Sequence, residues 1–315
     1  MLPRNHWYAV LEATEVKTLD VVAARRMGLD LVFWRDDEGT VAAALDRCPH
    51  RKVQLSRGRV EGGELVCPFH TFRFTRDGRS IGLPGMEEEA KALRLETFPV
   101  RDRGGWLWLW WGDPAESLPE VPHFPEIESL PSTWVRQDWL TSWERVVECG
   151  LDTLHLPAVH RTTIGRTASG VPEAKVEAGL NRLRIDVRGL NQRERPVVID
   201  YRYPNAWIDV VGPDTVLAFA VAPVERDRST VYLRAHQRLL GLPAIGGLAN
   251  RFLVSIGLQL LDEDRVLVES QPAEVEPGEG PLIGVDAAVA AFRQMHAEAA
   301  GAPDAGAPNE PDRNN

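Results

Sequence analysis

Apolar positions in the first 115 residues fall in short runs. "LVFWRD", "VAAALD", "GELVCPF", "FRFTRDGRSI" and "GGWLWLWWGDP" are apolar or alternating, and Gly, Asp or Pro bounds them. This pattern predicts strands joined by turns. Asp77-Gly78 inside "FRFTRDGRSI" is a hairpin signal, because Gly tolerates positive φ. In "WLWLWW", Trp106, Trp108 and Trp110 share one face at period two, which predicts a core strand. Residues 112–135 are rich in proline and show little periodicity, as a linker would. One helix is expected through "TSWERVVECGLDTLHLPAVH". Residues 176–238 return to strand patterns in "RLRIDVRGL", "PVVIDYRYP", "AWIDVVG", "TVLAFAVAPV" and "STVYLRAHQRL". Helices are expected around 245–270 and 283–299. The pattern predicts an α+β chain: an all-β domain over 1–115, a linker over 116–135, an antiparallel sheet flanked by helices over 136–300, and a disordered tail over 301–315.

Composition narrows the function classes. A chain of 315 residues is comfortable for two domains. The net charge of −10 argues against a nucleic-acid binder and against docking on an anionic membrane. The most apolar stretch, residues 239–261, is interrupted by Asn250 and Arg251, and Pro243 and a Gly pair break its start. It reads as a turn followed by a half-buried helix, not a membrane span. Three cysteines make no disulfide framework. "MLPRNHWYAV" lacks the basic and apolar regions of a signal peptide, so a cytoplasmic protein is expected.

The chemistry concentrates first in "RCPHRKVQLSRGRVEGGELVCPFHTF". Cys48-Pro49-His50 is followed, sixteen residues later, by Cys67-Pro68-Phe69-His70. A Cys₂His₂ zinc site usually pairs its two cysteines before its two histidines. Here the order is interleaved, which suits a [2Fe–2S] centre whose two cysteines hold one iron and two histidines the other. Cys-x-His-x16-Cys-x-x-His between strands resembles the Rieske family. "FHTFRFTRDGRSIGLPG" is also similar to the segment after the second histidine in Rieske oxygenases, with Thr71-Phe72 where Gly-Trp is usual.

A second group lies in "VVECGLDTLHLPAVH". Asp152 and His155 are three apart, as on one helix face, and Pro157 between His155 and His160 would distort the turn so that both histidines could converge. Two histidines and a carboxylate make the facial triad of non-haem Fe(II) oxygenases. The block resembles the Asn-x-x-Asp-x-x-His-x4-His signature of Rieske non-haem iron oxygenases, with Cys149 at the Asn position. "DEDRVLVESQ" resembles the family segment that carries the third ligand, which selects Asp264, with Asp262 and Asp286 as rivals. Cys149, the cysteine outside the first group, is either oxidisable or a small buried hydrophobe.

The resemblance implies an N-terminal Rieske domain and a helix-grip, START-like catalytic domain. It implies a [2Fe–2S] cluster on Cys48, His50, Cys67 and His70, and a mononuclear Fe(II) on His155, His160 and Asp264. It also implies a homotrimer in which Asp152 bridges His155 to His70 of a neighbouring subunit. The chain would be a terminal oxygenase that uses O₂ to hydroxylate or oxidatively demethylate a small, aromatic or cyclic substrate. Its electrons would come from a ferredoxin or a flavin-dependent NAD(P)H reductase, since no nicotinamide fingerprint is present in the chain. Trp207 and Phe219 are candidate pocket residues. Two other readings stand: a Rieske-type electron carrier fused to a START-like ligand-binding domain, and such a domain with a structural zinc site.

Overall fold

The computed structural model describes residues 2–82, 92–161, 171–189, 197–212, 215–237, 243–276, 279–280 and 282–301, with side chains from 252 onward in the helix that begins at Pro243. The expected tail beyond Gly301 lies outside the described residues.

Three small antiparallel sheets form the N-terminal part. The first pairs β1 (His6–Glu12) with the later strands β10 (Val100–Arg103) and β11 (Trp106–Trp111) in the order β1-β11-β10. The second runs β2 (Val21–Arg26), β3 (Leu29–Arg35), β4 (Val41–Leu45) and β9 (Thr97–Phe98). The third runs β5 (Arg59–Glu61), β6 (Glu64–Val66), β7 (Arg73–Phe74) and β8 (Ser80–Gly82). The hairpin expected at Asp77-Gly78 joins β7 to β8. Gly78 has φ +83°, and a Cβ there would lie 2.5 Å from the Leu95 carbonyl oxygen, so two independent constraints require glycine.

The second part is a seven-stranded antiparallel sheet. Its strands are β12 (Ser132–Trp139), β13 (Glu173–Gly179), β14 (Arg182–Arg188), β15 (Val197–Arg202), β16 (Ala206–Gly212), β17 (Thr215–Glu225) and β18 (Arg228–Gln237), in the order β12-β18-β17-β16-β15-β14-β13. The expected linker is therefore shorter than read: it holds a one-turn helix, α1 (Pro125–Glu128), and its end is the edge strand β12.

The helix expected over residues 141–160 is two helices. α2 (Trp143–Leu151) begins at Ser142, whose side chain accepts from the Arg145 N–H, and stops at Asp152 in extended conformation. A four-residue helix, α3 (Leu156–Val159), follows. Pro157 does not distort a continuing helix; it sits in the first turn of the new one, where no N–H is needed. α4 (Pro243–Val268) begins at the proline that was read as a break and carries the Gly pair inside it. α5 (Ala287–Ala300) closes the described chain.

The seven-stranded sheet buries both faces, and β17 shows how. Leu217 and Val221 belong to the cluster facing the helices, with Trp143, Val147, Leu151, Val254, Leu261 and Phe292. Ala218, Ala220 and Ala222 point the other way, into a cluster with Trp7, Trp106, Trp108, Trp110 and Phe124. The "AFAVA" alternation of small and large residues thus makes room on one face for a tryptophan stripe from the N-terminal part. Leu107 and Leu109, on the opposite face of β11, pack into the N-terminal core. Polar contacts fix the same boundary. Asn205 Nδ2 donates to Ala9 O at 2.8 Å, and the buried Glu12 carboxylate is held by Arg234. The Met27 N–H donates to Pro223 O at 2.8 Å.

Candidate metal centres

The four residues of the first group sit on two loops with one backbone plan. Cys48 follows β4, and its N–H donates to Val53 O at 2.9 Å, while the Lys52 N–H donates back to Cys48 O at 2.8 Å. Cys67 follows β6, and its N–H donates to Phe72 O at 2.8 Å, while the Thr71 N–H donates to Cys67 O at 3.1 Å. In each loop the residue four after the cysteine, Lys52 or Thr71, is left-handed with φ +59°. Positive φ is unusual for a β-branched residue, so Thr71, standing where glycine is usual, carries backbone strain there. The proline after each cysteine stiffens the turn.

The loops bring the four side chains together. Both thiols are buried, and each feels the other's charge. The His50 and His70 rings lie 4.8 Å apart, His50 exposed and His70 half-buried. Burial pushes the Cys48 thiol up to about 11, opposed by the backbone N–H groups of His50 and Arg51 directed at its sulfur. Two buried thiols behind two surface imidazoles, with N–H donors aimed at sulfur, form a donor set that could hold a [2Fe–2S] cluster with its histidine end outward. Phe69 beside them is 55% exposed.

The second group forms where α2 ends and α4 passes. Asp152 leaves α2 because its Oδ1 accepts from the Leu154 N–H at 2.8 Å, a local turn that replaces the next helical bond. His155 and His160 then flank α3 at its two ends, with ring centroids 5.2 Å apart. The two histidines converge because a single helical turn separates them, not because a longer helix is kinked.

α4 supplies the carboxylates. Asp264 Oδ1 lies 3.5 Å from His155 Nε2 and 3.1 Å from His160 Nε2. Behind the second ring, Glu263 Oε2 is 2.8 Å from His160 Nδ1. Adjacent helix residues project about 100° apart, and here the two carboxylates meet different edges of one imidazole. The glutamate was missed as a site residue in the sequence; its position after Asp262 and before Asp264 made all three look equivalent. Asp262 accepts from Gln137 Nε2 at 2.9 Å on the β12 side, and Asp286 accepts from the Ile283 N–H at 2.8 Å before α5, so neither rival meets the histidines.

The electrostatics match a cation site. Burial works against a charged His155, but the nearby carboxylates of Asp152 and Asp264 outweigh it and bring the imidazole up to about 9. Burial likewise works against an ionised Asp264, and His155 and His160 together hold its carboxyl below the usual range. Both ring nitrogens of His155 and Oδ1 of Asp264 are sealed from solvent without a well-formed hydrogen bond. Orphaned atoms of this kind are costly unless something binds them, and one cation between two imidazoles and a carboxylate fits them. Cys149 is close enough for Cys149, His155 and Asp264 each to present a donor atom within 4.8 Å of the others. Burial, then Asp264 and Asp152, push its thiol well above its ordinary value.

Comparison with known proteins bears on the N-terminal part and on the fold. Residues 6–99 match the family model of the Rieske [2Fe–2S] domain. The chain is 31% identical over 175 residues to the oxygenase component of chloroacetanilide N-alkylformylase from Rhizorhabdus wittichii, a match covering 53% of this chain and 49% of that one. It is 30% identical over 183 residues to the iron-sulfur subunit TsaM1 of the toluene-4-sulfonate monooxygenase system of Comamonas testosteroni, covering 56% and 52%. These matches span about half the length of the curated relatives. The fold is similar to that of dicamba monooxygenase bound to dicamba, with a TM-score of 0.76 at 20% identity, over 94% of this chain and 97% of that one. The N-terminal part thus matches the Rieske [2Fe–2S] domain, about half of the chain is similar to proteins named as an oxygenase component or iron-sulfur subunit, and the chain shares the fold of dicamba monooxygenase.

Proposed function

We propose that the chain is the terminal oxygenase component of a multi-protein system, oxidising a small aromatic or cyclic substrate with O₂ by hydroxylation or oxidative demethylation, monooxygenation being favoured. One observation carries the reading. Asp264 Oδ1 stands within 3.5 Å of His155 Nε2 and 3.1 Å of His160 Nε2, all on one side of a sealed site that no electron carrier would need. In this reading Cys48, His50, Cys67 and His70 hold a [2Fe–2S] cluster, and His155, His160 and Asp264 hold a mononuclear Fe(II). When bound, the iron would supply O₂ chemistry and the cluster would supply one-electron redox chemistry.

The chain's own residues prepare that site. With an iron bound, Glu263 would accept a hydrogen bond from the Nδ1–H of His160, the tautomer that leaves the Nε2 lone pair for a cation shared with Asp264. Asp152 Oδ2 sits 3.6 Å from His155 Nδ1 and can do the same for the other ring. Its side chain is 33% exposed, so part of it remains open to the surface. We assign it the bridging role: His70 of a neighbouring copy meets Asp152, and the homotrimer closes that contact head to tail. A ferredoxin or a flavin-dependent NAD(P)H reductase supplies the electrons. A division near residues 1–115 and 136–300, with the second part opening at β12, matches the two centres. No helix among the described residues is long and apolar enough to cross a membrane.

Glu263→Ala should weaken Fe(II) binding by about 10–100-fold, as removal of a carboxylate behind a metal-bound histidine does. Equilibrium iron titration against a chelator measures it; unchanged affinity would remove Glu263 from the site. The function itself is tested by O₂ uptake with NADH, a reductase and a panel of small aromatics. Substrate-dependent uptake with ¹⁸O in the product supports an oxygenase. Electron transfer through the cluster with no oxygen incorporated from any substrate, in protein shown to hold both metals, favours the electron carrier.

A further inference from the structure

Among the described residues, two carboxylates have a side-chain oxygen sealed from solvent with no hydrogen-bond partner: Asp264 and Asp209. Asp264 is accounted for by the cation site. Asp209 is not. It lies on β16, two residues after Trp207, so both side chains share the sheet face that packs against the helices. Its cross-strand partners are Ile199 and Leu217, and its neighbour along the strand on that face is Trp207. All three are apolar. The residue keeps some exposed surface, but Oδ1 does not. Burial alone pushes its carboxyl up to about 8, with no neighbouring cation to oppose it.

Other buried carboxylates among the described residues are matched. Asp200, on the adjacent strand, is held by Arg182 and Arg202. Glu12 is held by Arg234, and Glu148 by Arg293. An unmatched carboxylate in an apolar wall costs stability, and retaining one without a partner suggests that the partner arrives from outside. What stands beside it defines the rest of the ligand. Trp207 and Phe219 are cross-strand partners whose rings stack at 4.9 Å and 11°, and Phe219 keeps an exposed part. Trp207 in turn lies flush against α2: a Cβ at Gly150 would sit 2.4 Å from its ring, two residues before Asp152. The aromatic pair therefore connects Asp209 to the end of the helix that leads into the second metal centre.

We propose that Asp209 is the substrate-recognition residue of this oxygenase, and that it selects aromatic substrates bearing a basic nitrogen, whose ammonium pairs with the carboxylate while the ring packs on Trp207 and Phe219. The inference rests on the oxygenase reading for the word substrate, but its test reads binding alone. An ammonium beside aromatic faces also gains cation–π attraction, which a neutral or anionic ligand does not.

The test compares three soluble probes on the metal-loaded protein by titration calorimetry: N,N-dimethylbenzylamine, the neutral N,N-dimethylbenzamide and the anionic phenylacetate. The wild type is expected to bind the amine at least tenfold more tightly than the amide, with phenylacetate weakest. Asp209→Asn should remove the preference and leave the iron content and the Rieske spectrum unchanged. Asp209→Leu, which suits the apolar surroundings, should lose amine binding and unfold at a higher temperature than the wild type. The proposal is overturned if the amine binds no better than the amide, if the preference survives Asp209→Asn, or if Asp209→Leu unfolds earlier, since Asp209 would then be a structural group. Failure of the oxygenase reading would show separately, as absent iron or absent oxygen incorporation in protein that still prefers the amine.

Discussion

Asp264→Ala is expected to empty the mononuclear site while leaving the Rieske spectrum intact. His155 and His160 alone would bind Fe(II) weakly and leave its charge uncompensated; the carboxylate supplies charge and completes one face of the coordination sphere. Asp264 is the group that both Nε2 atoms face, at 3.5 and 3.1 Å. Glu263 cannot replace it, because it is engaged at the far edge of His160, 2.8 Å from Nδ1. Iron analysis of the variant should fall by one atom per chain and turnover to background. Asp262→Ala and Asp286→Ala should keep the iron, since those side chains engage Gln137 and the Ile283 N–H instead. If Asp264→Ala keeps its iron and Asp286→Ala loses it, the C-terminal helices are placed in the wrong register.

Asp152→Asn should do the opposite: keep both metals and lose nearly all coupled turnover. Asn retains the oxygen that accepts from the Leu154 N–H, so the turn that ends α2 survives. What changes is the second oxygen, 3.6 Å from His155 Nδ1, which becomes an amide that no longer attracts the imidazole proton or a neighbouring His70. Stopped-flow reduction of the cluster should be normal and its reoxidation through the second site slow. A variant that loses its mononuclear iron would instead make Asp152 a ligand or a structural support.

Much of this architecture was legible from period alone. β14 to β18 alternate in the sequence as they do across the sheet, and "WLWLWW" reads as the core strand it is. β12 escaped notice because it is an edge strand: "STWVRQDW" buries little beyond Trp139 and follows a proline-rich stretch. The break at Asp152 escaped because helical spacing continues through it, and only the side chain's capture of the Leu154 N–H shows that the backbone leaves the helix. The candidate metal-site residues that the structure brings together were legible through spacing and resemblance together. Glu263 and Asp209 were not. The role of Glu263 is set by which edge of His160 it meets, and that of Asp209 by the absence of a cation on neighbouring strands. Neither is a property of local sequence.

The central claim is that one chain holds two different iron centres. Iron and acid-labile sulfide analysis of the fully loaded protein, read with the EPR spectrum after reduction, tests it most directly. Three irons and two sulfides per chain are expected, with a rhombic Rieske signal, and Asp264→Ala should lower the iron count to two without altering sulfide or signal. Zinc in place of the cluster, or two irons per chain in fully active protein, would contradict the account.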